Sequence, residues 1–142
     1  VELLGRAFGG PADLAERAVR SGLDPALMVS IAWVESRFDG KAVSRAGAVG
    51  IMQVLPRYFC PKRRARGCDL VAAGLDAFAR WRRNSRTVFE TLCRYNAGWR
   101  CGRRGRYYAR SVLRIRRRIA FAFAFVAFEC GDSGVDCIKW NR

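Results

Sequence analysis

An apolar helix that leads directly into a glycine-punctuated segment is the feature that most restricts the fold of this chain. Asp24 and Pro25 form a helix start, because an acidic side chain can cap free N–H groups and proline fits the first helical position. The predicted helix runs from Pro25 to about Phe38 and stops near Gly40. Its apolar positions recur at three- and four-residue spacing and mark one buried face: Leu27, Met28, Ile31, Ala32 and Phe38.

Glu35 lies on that apolar face, four residues after Ile31 and three before Phe38. A carboxylate there loses solvation when it ionises, so its pKa should rise towards neutrality, as general-acid catalysis requires. The chain also holds 27 Lys and Arg residues, and a buried glutamate can pair with one of them in the core. Helical spacing alone does not separate the catalytic role from the structural ion pair.

The segment after the helix favours the catalytic role. Gly47 and Gly50 permit tight turns and the close approach of a ligand, and Gln53 offers a donor and an acceptor to an amide-bearing substrate. We expect residues 39–49 to form an irregular loop, with short strands at most, along one wall of a cleft. Residues 50–59 are predicted to form a short helix that carries Met52 and Gln53.

Three motifs follow one another at fixed distances along the chain. They are Glu35-Ser36, then Ser44-x-x-Gly47-Ala48-x-Gly50-Ile51-Met52-Gln53-x-x-Pro56, then Tyr95-Asn96-Ala97-Gly98. Each motif is weak alone, but their order and distances make a strong signal over residues 13–112. Together they resemble the soluble lytic transglycosylase family, which is related to goose-type lysozyme.

Three positions depart from the pattern of that family. Ile51 stands where leucine is usual, and Gly40 stands where proline often follows the catalytic helix. Both are mild changes. Arg94 replaces the small residue that usually precedes the Tyr-Asn-Ala-Gly motif. It brings a cation near the predicted cleft, and we expect it to bear on substrate preference.

The resemblance implies a mainly α, lysozyme-like single domain over residues 1–142, with a cleft, little or no sheet, and an extension outside the family pattern at residues 113–142. It implies Glu35 as the catalytic residue and Tyr108 as the tyrosine that hydrogen-bonds its carboxyl group, with Tyr107 as the competing candidate. The residues expected to position the substrate are Ser36, Ser44, Met52, Gln53, Tyr95, Asn96 and Tyr108. No metal or other cofactor is expected.

The resemblance also implies peptidoglycan as the substrate, cut between N-acetylmuramic acid and N-acetylglucosamine. Ordinary glycosidases use two carboxylates, and no second acid occupies a motif position here. We therefore expect Glu35 to act first as acid and then as base, while the acetamido group of the substrate stabilises the developing charge and its 6-hydroxyl closes a 1,6-anhydro ring. A lysozyme-type hydrolase is the alternative. It needs a second acid, for which the candidates are Asp39, Asp69 and Asp76.

The net charge of +15 predicts contact with a polyanionic surface. Peptidoglycan strands and the anionic cell envelope are the expected partners, and no specific nucleic acid is expected. A second alternative is a non-catalytic basic module that binds glycan or nucleic acid, which requires the arginines to form one contiguous face. The chain has no histidine, which excludes Ser–His and Cys–His nucleophiles and every zinc site with a histidine ligand.

Six cysteines form three local pairs: Cys60 and Cys68, Cys93 and Cys101, Cys130 and Cys137. An even count without CxxC spacing indicates disulfides in an oxidising compartment, and we expect neighbours to pair in order. A four-cysteine zinc site is the rival and lacks the usual close-spaced pairs. We predict a bacterial periplasm or cell envelope, or a bacteriophage virion or lysin acting there, and a secretion, pilus or phage-tail assembly as partner. No signal peptide is evident at the start of the chain.

Further helices are predicted over residues 11–21, 69–83, 86–94 and from residue 105, with Asp69 and Ser85 near two of the starts. Trp81 can stack on a sugar ring, but its helical spacing is more typical of a core residue. Residues 119–128 alternate phenylalanine with alanine, which is typical of a strand, yet they also fit helical spacing. We predict that they continue the last helix, and the run is too short to span a bilayer.

Overall fold

The computed structural model describes residues 14–129, with side chains described as far as residue 121. Its α-helices are α1 (Leu14–Arg20), α2 (Pro25–Ser36), α3 (Pro56–Phe59), α4 (Leu70–Arg83), α5 (Val88–Ala97) and α6 (Arg103–Glu129), with a 3-10 turn at Pro61–Arg63. Two isolated antiparallel bridges, Val43–Val49 and Val49–Val54, are the only β pairings in these residues. The prediction of a mainly helical fold with little or no sheet is confirmed.

The core lies between the helices and the turn that follows α2. Helix α1 falls within the predicted range 11–21, the first three residues of which are outside the described part. The apolar side chains that are almost completely buried include Leu14, Met28, Ile31, Met52, Leu92, Val112 and Ile119. Because these side chains come from five separate elements, their burial fixes how the elements of the site face one another.

Helix α2 begins as predicted and ends earlier. The Asp24 carboxylate accepts a hydrogen bond from an amide of the first turn at 3.2 Å, and Pro25 occupies the first helical position. The helix ends at Ser36 and not near Phe38, because Arg37 and Phe38 both adopt left-handed backbone angles, with φ of 55° and 64°. The last turn, which holds the predicted catalytic glutamate, therefore lies at the end of the helix.

The segment after α2 folds into a turn, and the helix predicted for it is wrong in its first half. Gly50 and Gln53 adopt left-handed angles, with φ of 80° and 50°, which a right-handed α-helix does not accommodate. Val49 and Val54 instead exchange both backbone hydrogen bonds across the turn, at 2.8 and 3.1 Å. Only Pro56–Phe59 is helical, so the two motif residues assigned to a helix lie on the turn.

Helices α4 and α5 both start at capping residues. Asp69 caps α4 as predicted, since its carboxylate accepts a hydrogen bond from an amide of the first turn at 3.0 Å. The start predicted for α5 after Ser85 is wrong: Thr87 caps this helix, and its hydroxyl accepts from the Glu90 amide at 3.1 Å. The Glu90 carboxylate accepts in turn from the amide that precedes Thr87, at 2.7 Å, and this reciprocal box moves the helix start two residues along the chain.

Helix α6 is the longest element, and it packs against α5 and α2. Its backbone includes residues 119–128, so the predicted helical continuation is confirmed. Gly105 permits the close approach to α5, because a Cβ there would lie 2.7 Å from the Cys93 sulfur and 2.9 Å from the Ala97 Cβ. No helix in residues 14–129 combines the length and apolar character needed to cross a membrane.

Two of the three predicted disulfides are present in the described residues. Cys60 and Cys68 close the loop around the 3-10 turn, with Cα atoms 5.5 Å apart. Cys93 and Cys101 join α5 to the residues before α6, with Cα atoms 5.4 Å apart. Each short cross-link restricts the unfolded chain and contributes about 2–3 kcal/mol. Outside the described residues lies the third predicted pair, Cys130 and Cys137.

We expect Gly105→Ala to lower the free energy of unfolding by about 1–3 kcal/mol, since the added methyl group collides with Cys93 and with a backbone carbonyl. Chemical denaturation followed by circular dichroism measures this loss. Gly102→Ala is the matched control, because the nearest described neighbour of its added methyl group is the Arg100 carbonyl oxygen at 3.9 Å. A Gly105 variant as stable as the Gly102 variant would contradict the close approach.

Candidate active site

Glu35 lies in the last turn of α2 and is partly buried. Burial raises the pKa of its carboxyl group from 4.5 to about 7, and an interaction with the Tyr108 hydroxyl offsets part of this rise. No arginine or lysine among the described residues forms an ion pair with Glu35. Within the described residues, Glu35 therefore does not form the structural ion pair that was the alternative to a catalytic role. A carboxyl group with this pKa exists in both protonation states near neutral pH.

Two tyrosines approach this carboxyl group from neighbouring helices. Tyr95 comes from α5 and Tyr108 from α6. Burial raises the pKa of both hydroxyl groups well above the ordinary value, and the charge of Glu35 raises each further. Both are therefore neutral hydrogen-bond donors at physiological pH. Tyr107, the competing candidate, is 69% exposed, so it is Tyr108 that interacts with Glu35.

The Tyr108 hydroxyl has no acceptor of regular geometry. It is buried and makes no such hydrogen bond in the described part of the chain, yet it lies near enough to Glu35 to lower the pKa of that carboxyl group. Catalytic hydrogen bonds are often long or poorly aligned until substrate is bound, and bonds to an ionised acceptor are stronger. We therefore interpret the contact as a loose hydrogen bond that strengthens when Glu35 ionises.

Three side chains hold the turn that lies between the bridged residues Val49 and Val54. The Ser36 hydroxyl donates to the Ile51 carbonyl at 2.9 Å. The side-chain amide of Gln53 donates to the Gly50 carbonyl at 2.9 Å. Tyr95 donates to the third carbonyl of the turn, at 2.7 Å. Three consecutive carbonyl groups are thus each bound by a predicted site residue, and Ser36 and Tyr95 connect the turn to α2 and α5.

The remaining predicted residues have different surroundings. Ser44 is exposed, and its hydroxyl accepts from the Ala48 amide at 3.0 Å, which closes the loop before the turn. Met52 is 1% exposed and packs against Gly74 of α4, where a Cβ would lie 2.6 Å from its sulfur. Its side chain therefore supports the turn from the core side. Asn96 is exposed in the last turn of α5.

A cleft of about 800 Å³ lies between the turn, α3, α4 and the end of α5. Gln53, Tyr95 and Asn96 line it, whereas Glu35 is not among the lining residues. Tyr95 connects the cleft with the Glu35 carboxyl group, because it lines the cleft and the charge of Glu35 raises the pKa of its hydroxyl group. The side-chain nitrogen of Gln53 already donates to the Ala42 and Gly50 carbonyls, so its carbonyl oxygen is the group left for a ligand. The Asn96 amide offers a donor and an acceptor of the type that binds an acetamido substituent.

Two tryptophans form an aromatic wall of this cleft, and sequence reasoning missed this wall. The rings of Trp81 and Trp99 have centroids 5.0 Å apart and meet edge to face at 72°. Helical spacing predicts Trp81 as a core residue, with stacking on a sugar as the alternative, and no motif includes Trp99. The available signal was its position directly after the Tyr-Asn-Ala-Gly motif, since a neighbour of a cleft motif is also near the cleft.

The three candidates for a second acid have other roles. Asp39 is exposed and accepts from a backbone amide two residues away, at 2.9 Å. Asp69 caps α4, and its hydrogen bond with Arg17 holds the pKa of its carboxyl group below the ordinary value. Asp76 pairs with Arg80 at 2.8 Å. None of the three lines the cleft.

The family profile named transglycosylase SLT domain matches residues 14–112, which is more than half of the chain. The chain therefore belongs to the SLT transglycosylase family, and the resemblance inferred from the three motifs is confirmed.

Similar proteins include membrane-bound lytic murein transglycosylase C of Actinobacillus pleuropneumoniae, from serotypes 5b, 3 and 7. Each is 43% identical over 63 residues, which cover 44% of this chain. The chain spans only 13% of the length of these relatives. No solved structure gives a significant match.

We expect Glu35→Gln to become more stable than the parent protein as the pH rises. The native state holds the Glu35 proton up to pH about 7 whereas the unfolded chain releases it near 4.5, so the parent loses stability across this window. The variant has no such loss. The free energy of unfolding of the variant minus that of the parent should therefore be independent of pH below 4.5 and increase by up to about 3 kcal/mol by pH 8.

Urea denaturation at pH 4, 6 and 8 measures this effect. Ser36→Ala is the control, since it removes no titrating group and should differ from the parent by the same amount at every pH. A pH-independent difference for the glutamine variant would contradict a largely buried Glu35 carboxyl group that has no cationic partner among the described residues.

Proposed function

We propose that the chain is a peptidoglycan lytic transglycosylase that cleaves the β-1,4 bond between N-acetylmuramic acid and N-acetylglucosamine and leaves a 1,6-anhydro-muramic acid end. The observation that carries the proposal is the Glu35 carboxyl group, at the motif position of the family, with a pKa of about 7 and no cationic partner in the described residues. Such a group can give up a proton and later recover it at the same pH.

In the first step the protonated Glu35 donates its proton to the glycosidic oxygen. The bond between that oxygen and C1 of the muramic acid breaks, and both electrons leave with the oxygen. The carbonyl oxygen of the acetamido group on the same sugar shares the positive charge that develops at C1. Glu35 is then a carboxylate in a poorly solvated site, where the Tyr108 hydroxyl is positioned to donate a hydrogen bond to it.

In the second step Glu35 acts as the base. It takes the proton of the 6-hydroxyl group while O6 forms a bond to C1, which neutralises the positive charge that the acetamido oxygen shared. This closes the anhydro ring and restores the protonated carboxyl group, so no water is consumed. In the same proposal, Gln53 and Asn96 bind the substrate along the cleft, whereas Ser36, Ser44 and Met52 position the loop and the turn.

A lysozyme-type hydrolase is the second candidate, because the family resemblance allows it. It needs a second carboxylate to activate water. The hydrogen bonds and ion pairs of Asp39, Asp69 and Asp76, and their positions away from the cleft lining, favour the lyase. The non-catalytic basic module has only the net charge of +15 in its favour.

The setting is also part of the proposal. The relatives are named as membrane-bound murein enzymes, and we extend a cell-envelope setting to this chain, with peptidoglycan strands and the anionic envelope as its partners. A periplasmic or bacteriophage origin, and an association with a secretion, pilus or phage-tail assembly, stay predictions from the sequence.

We expect digestion of purified sacculi to release muropeptides with 1,6-anhydro ends, and Glu35→Gln to lower the rate by about 10²- to 10⁴-fold. Mass spectrometry separates these ends from the reducing ends that a hydrolase makes, which are heavier by one water. Asp39→Asn is the control and should keep the parental rate. Reducing ends as the main product, or an unchanged rate for the glutamine variant, would contradict the proposal.

We expect kcat/KM to fall above pH about 7, because the free protein must start with a protonated Glu35. The Tyr108 hydroxyl lowers the pKa of Glu35, so Tyr108→Phe should move this decline to higher pH, by up to about one unit. Tyr107→Phe is the matched control and should leave the profile in place, since that side chain is exposed. A decline centred near pH 4–5, or a shift to lower pH in the Tyr108 variant, would contradict this assignment.

A further inference from the structure

The charges that line the cleft are of one sign. Arg57, Arg80 and Arg94 line it, and none of the described residues in its wall is aspartate or glutamate. A concave surface with cations and no carboxylates attracts a ligand that carries negative charge. The family motifs do not account for this feature, because none of the three arginines is a motif residue.

Arg57 is the arginine available to a ligand. Arg80 and Arg94 have acidic partners, Asp76 at 2.8 Å and Glu90 at 2.7 Å, and neither partner lines the cleft. Arg57 is exposed on α3, its guanidinium lies 4.8 Å from the ring of the adjacent tyrosine, and no carboxylate in the described residues pairs with it. An exposed guanidinium with unused donors can bind a carboxylate through two parallel hydrogen bonds.

Trp99 supplies a flat apolar surface in the same cleft. It follows Gly98, whose left-handed backbone angle (φ 75°) ends α5, and it remains 66% exposed. The edge-to-face contact with Trp81 and the guanidinium of Arg94, 5.1 Å from the ring centroid of Trp99, support its orientation. Because most of its surface stays exposed, Trp99 can still offer ring surface to an apolar ligand, such as the C–H face of a sugar.

We propose that the cleft selects sugars that carry a carboxylate, with the sugar ring on Trp99 and the carboxylate on Arg57. This inference rests on the proposed function, which supplies a glycan as substrate. Within such a glycan, carboxylates occur only on the muramic acid, on its lactyl group where no peptide is attached or otherwise on the attached peptide, and on no part of the N-acetylglucosamine. The preferred substrate is therefore a strand with free carboxylates on these substituents, over a strand in which they are amidated.

Binding can be measured without turnover in the Glu35→Gln background by isothermal titration calorimetry. The ligands are soluble glycan–peptide oligomers with free carboxylates, the same oligomers with these groups converted to carboxamides, and a neutral N-acetylglucosamine oligomer of equal sugar count. We expect the carboxylate form to bind about tenfold more tightly than the carboxamide form. Adding Arg57→Gln should reduce this ratio to near one, and adding Trp99→Ala should weaken binding of all three ligands.

Arg110→Gln is the matched control, because it removes one charge from an exposed arginine of α6 that does not line the cleft, and it should keep the tenfold ratio. Equal affinity for the carboxylate and carboxamide forms overturns the inference. The inference is also overturned if the Arg110 and Arg57 variants lose the carboxylate-over-carboxamide affinity ratio equally, because that result indicates general charge attraction. Tighter binding of a short oligonucleotide than of the carboxylate oligomer would assign the cleft to a phosphate polymer instead.

The proposed function is tested separately by the parent protein. If the parent protein releases anhydro-muropeptides but binds the carboxylate and carboxamide oligomers equally well, the proposed lyase function stands and only the carboxylate selectivity is wrong. No release from sacculi, together with no binding of any glycan oligomer, removes both.

Discussion

A largely buried carboxyl group, with no counter-ion among the described residues, is the constraint on which the rest of the structure depends. Glu35 occupies a position that favours its neutral form, and ionisation there costs free energy that the surrounding packing must supply. The core contacts of α2, α5 and α6 meet this cost by burying apolar side chains from each helix. The buried hydroxyl of Tyr108 recovers part of it whenever the charge forms.

The motif residues act largely through backbone geometry. Ser36, Gln53 and Tyr95 each hold one carbonyl group of the turn after α2, and Met52 fills the space beneath it against Gly74. The motif therefore encodes a rigid turn next to the acid as much as a set of ligand contacts. Rigid placement of this kind contributes to catalysis because misplacement of reacting groups by about 1 Å is costly.

The parts of this protein that could be predicted from its sequence are those with local signals. Asp24 and Pro25 marked the start of α2, and the paired cysteines gave two observed disulfides, because short-range chemistry decides both. The prediction of a helix at residues 50–53 is wrong, since a left-handed Gln53 has no signature in sequence and its side chain bonds the carbonyl of Ala42, eleven residues away. The aromatic wall also escaped prediction, because only the packing of α4 against α5 brings Trp99 to its partner.

The disulfide between Cys93 and Cys101 closes a small covalent ring. This ring contains the Tyr-Asn-Ala-Gly motif at the end of α5 and the exposed Trp99 that follows it. The ring forms only when both thiols are oxidised. The conformational freedom of the cleft wall that carries Asn96 and Trp99 therefore depends on the redox state of the compartment. In a reducing cytosol residues 98–101 lack this covalent restraint, and their ordering on a ligand costs more entropy. Full preorganisation of this side of the cleft therefore requires oxidising conditions.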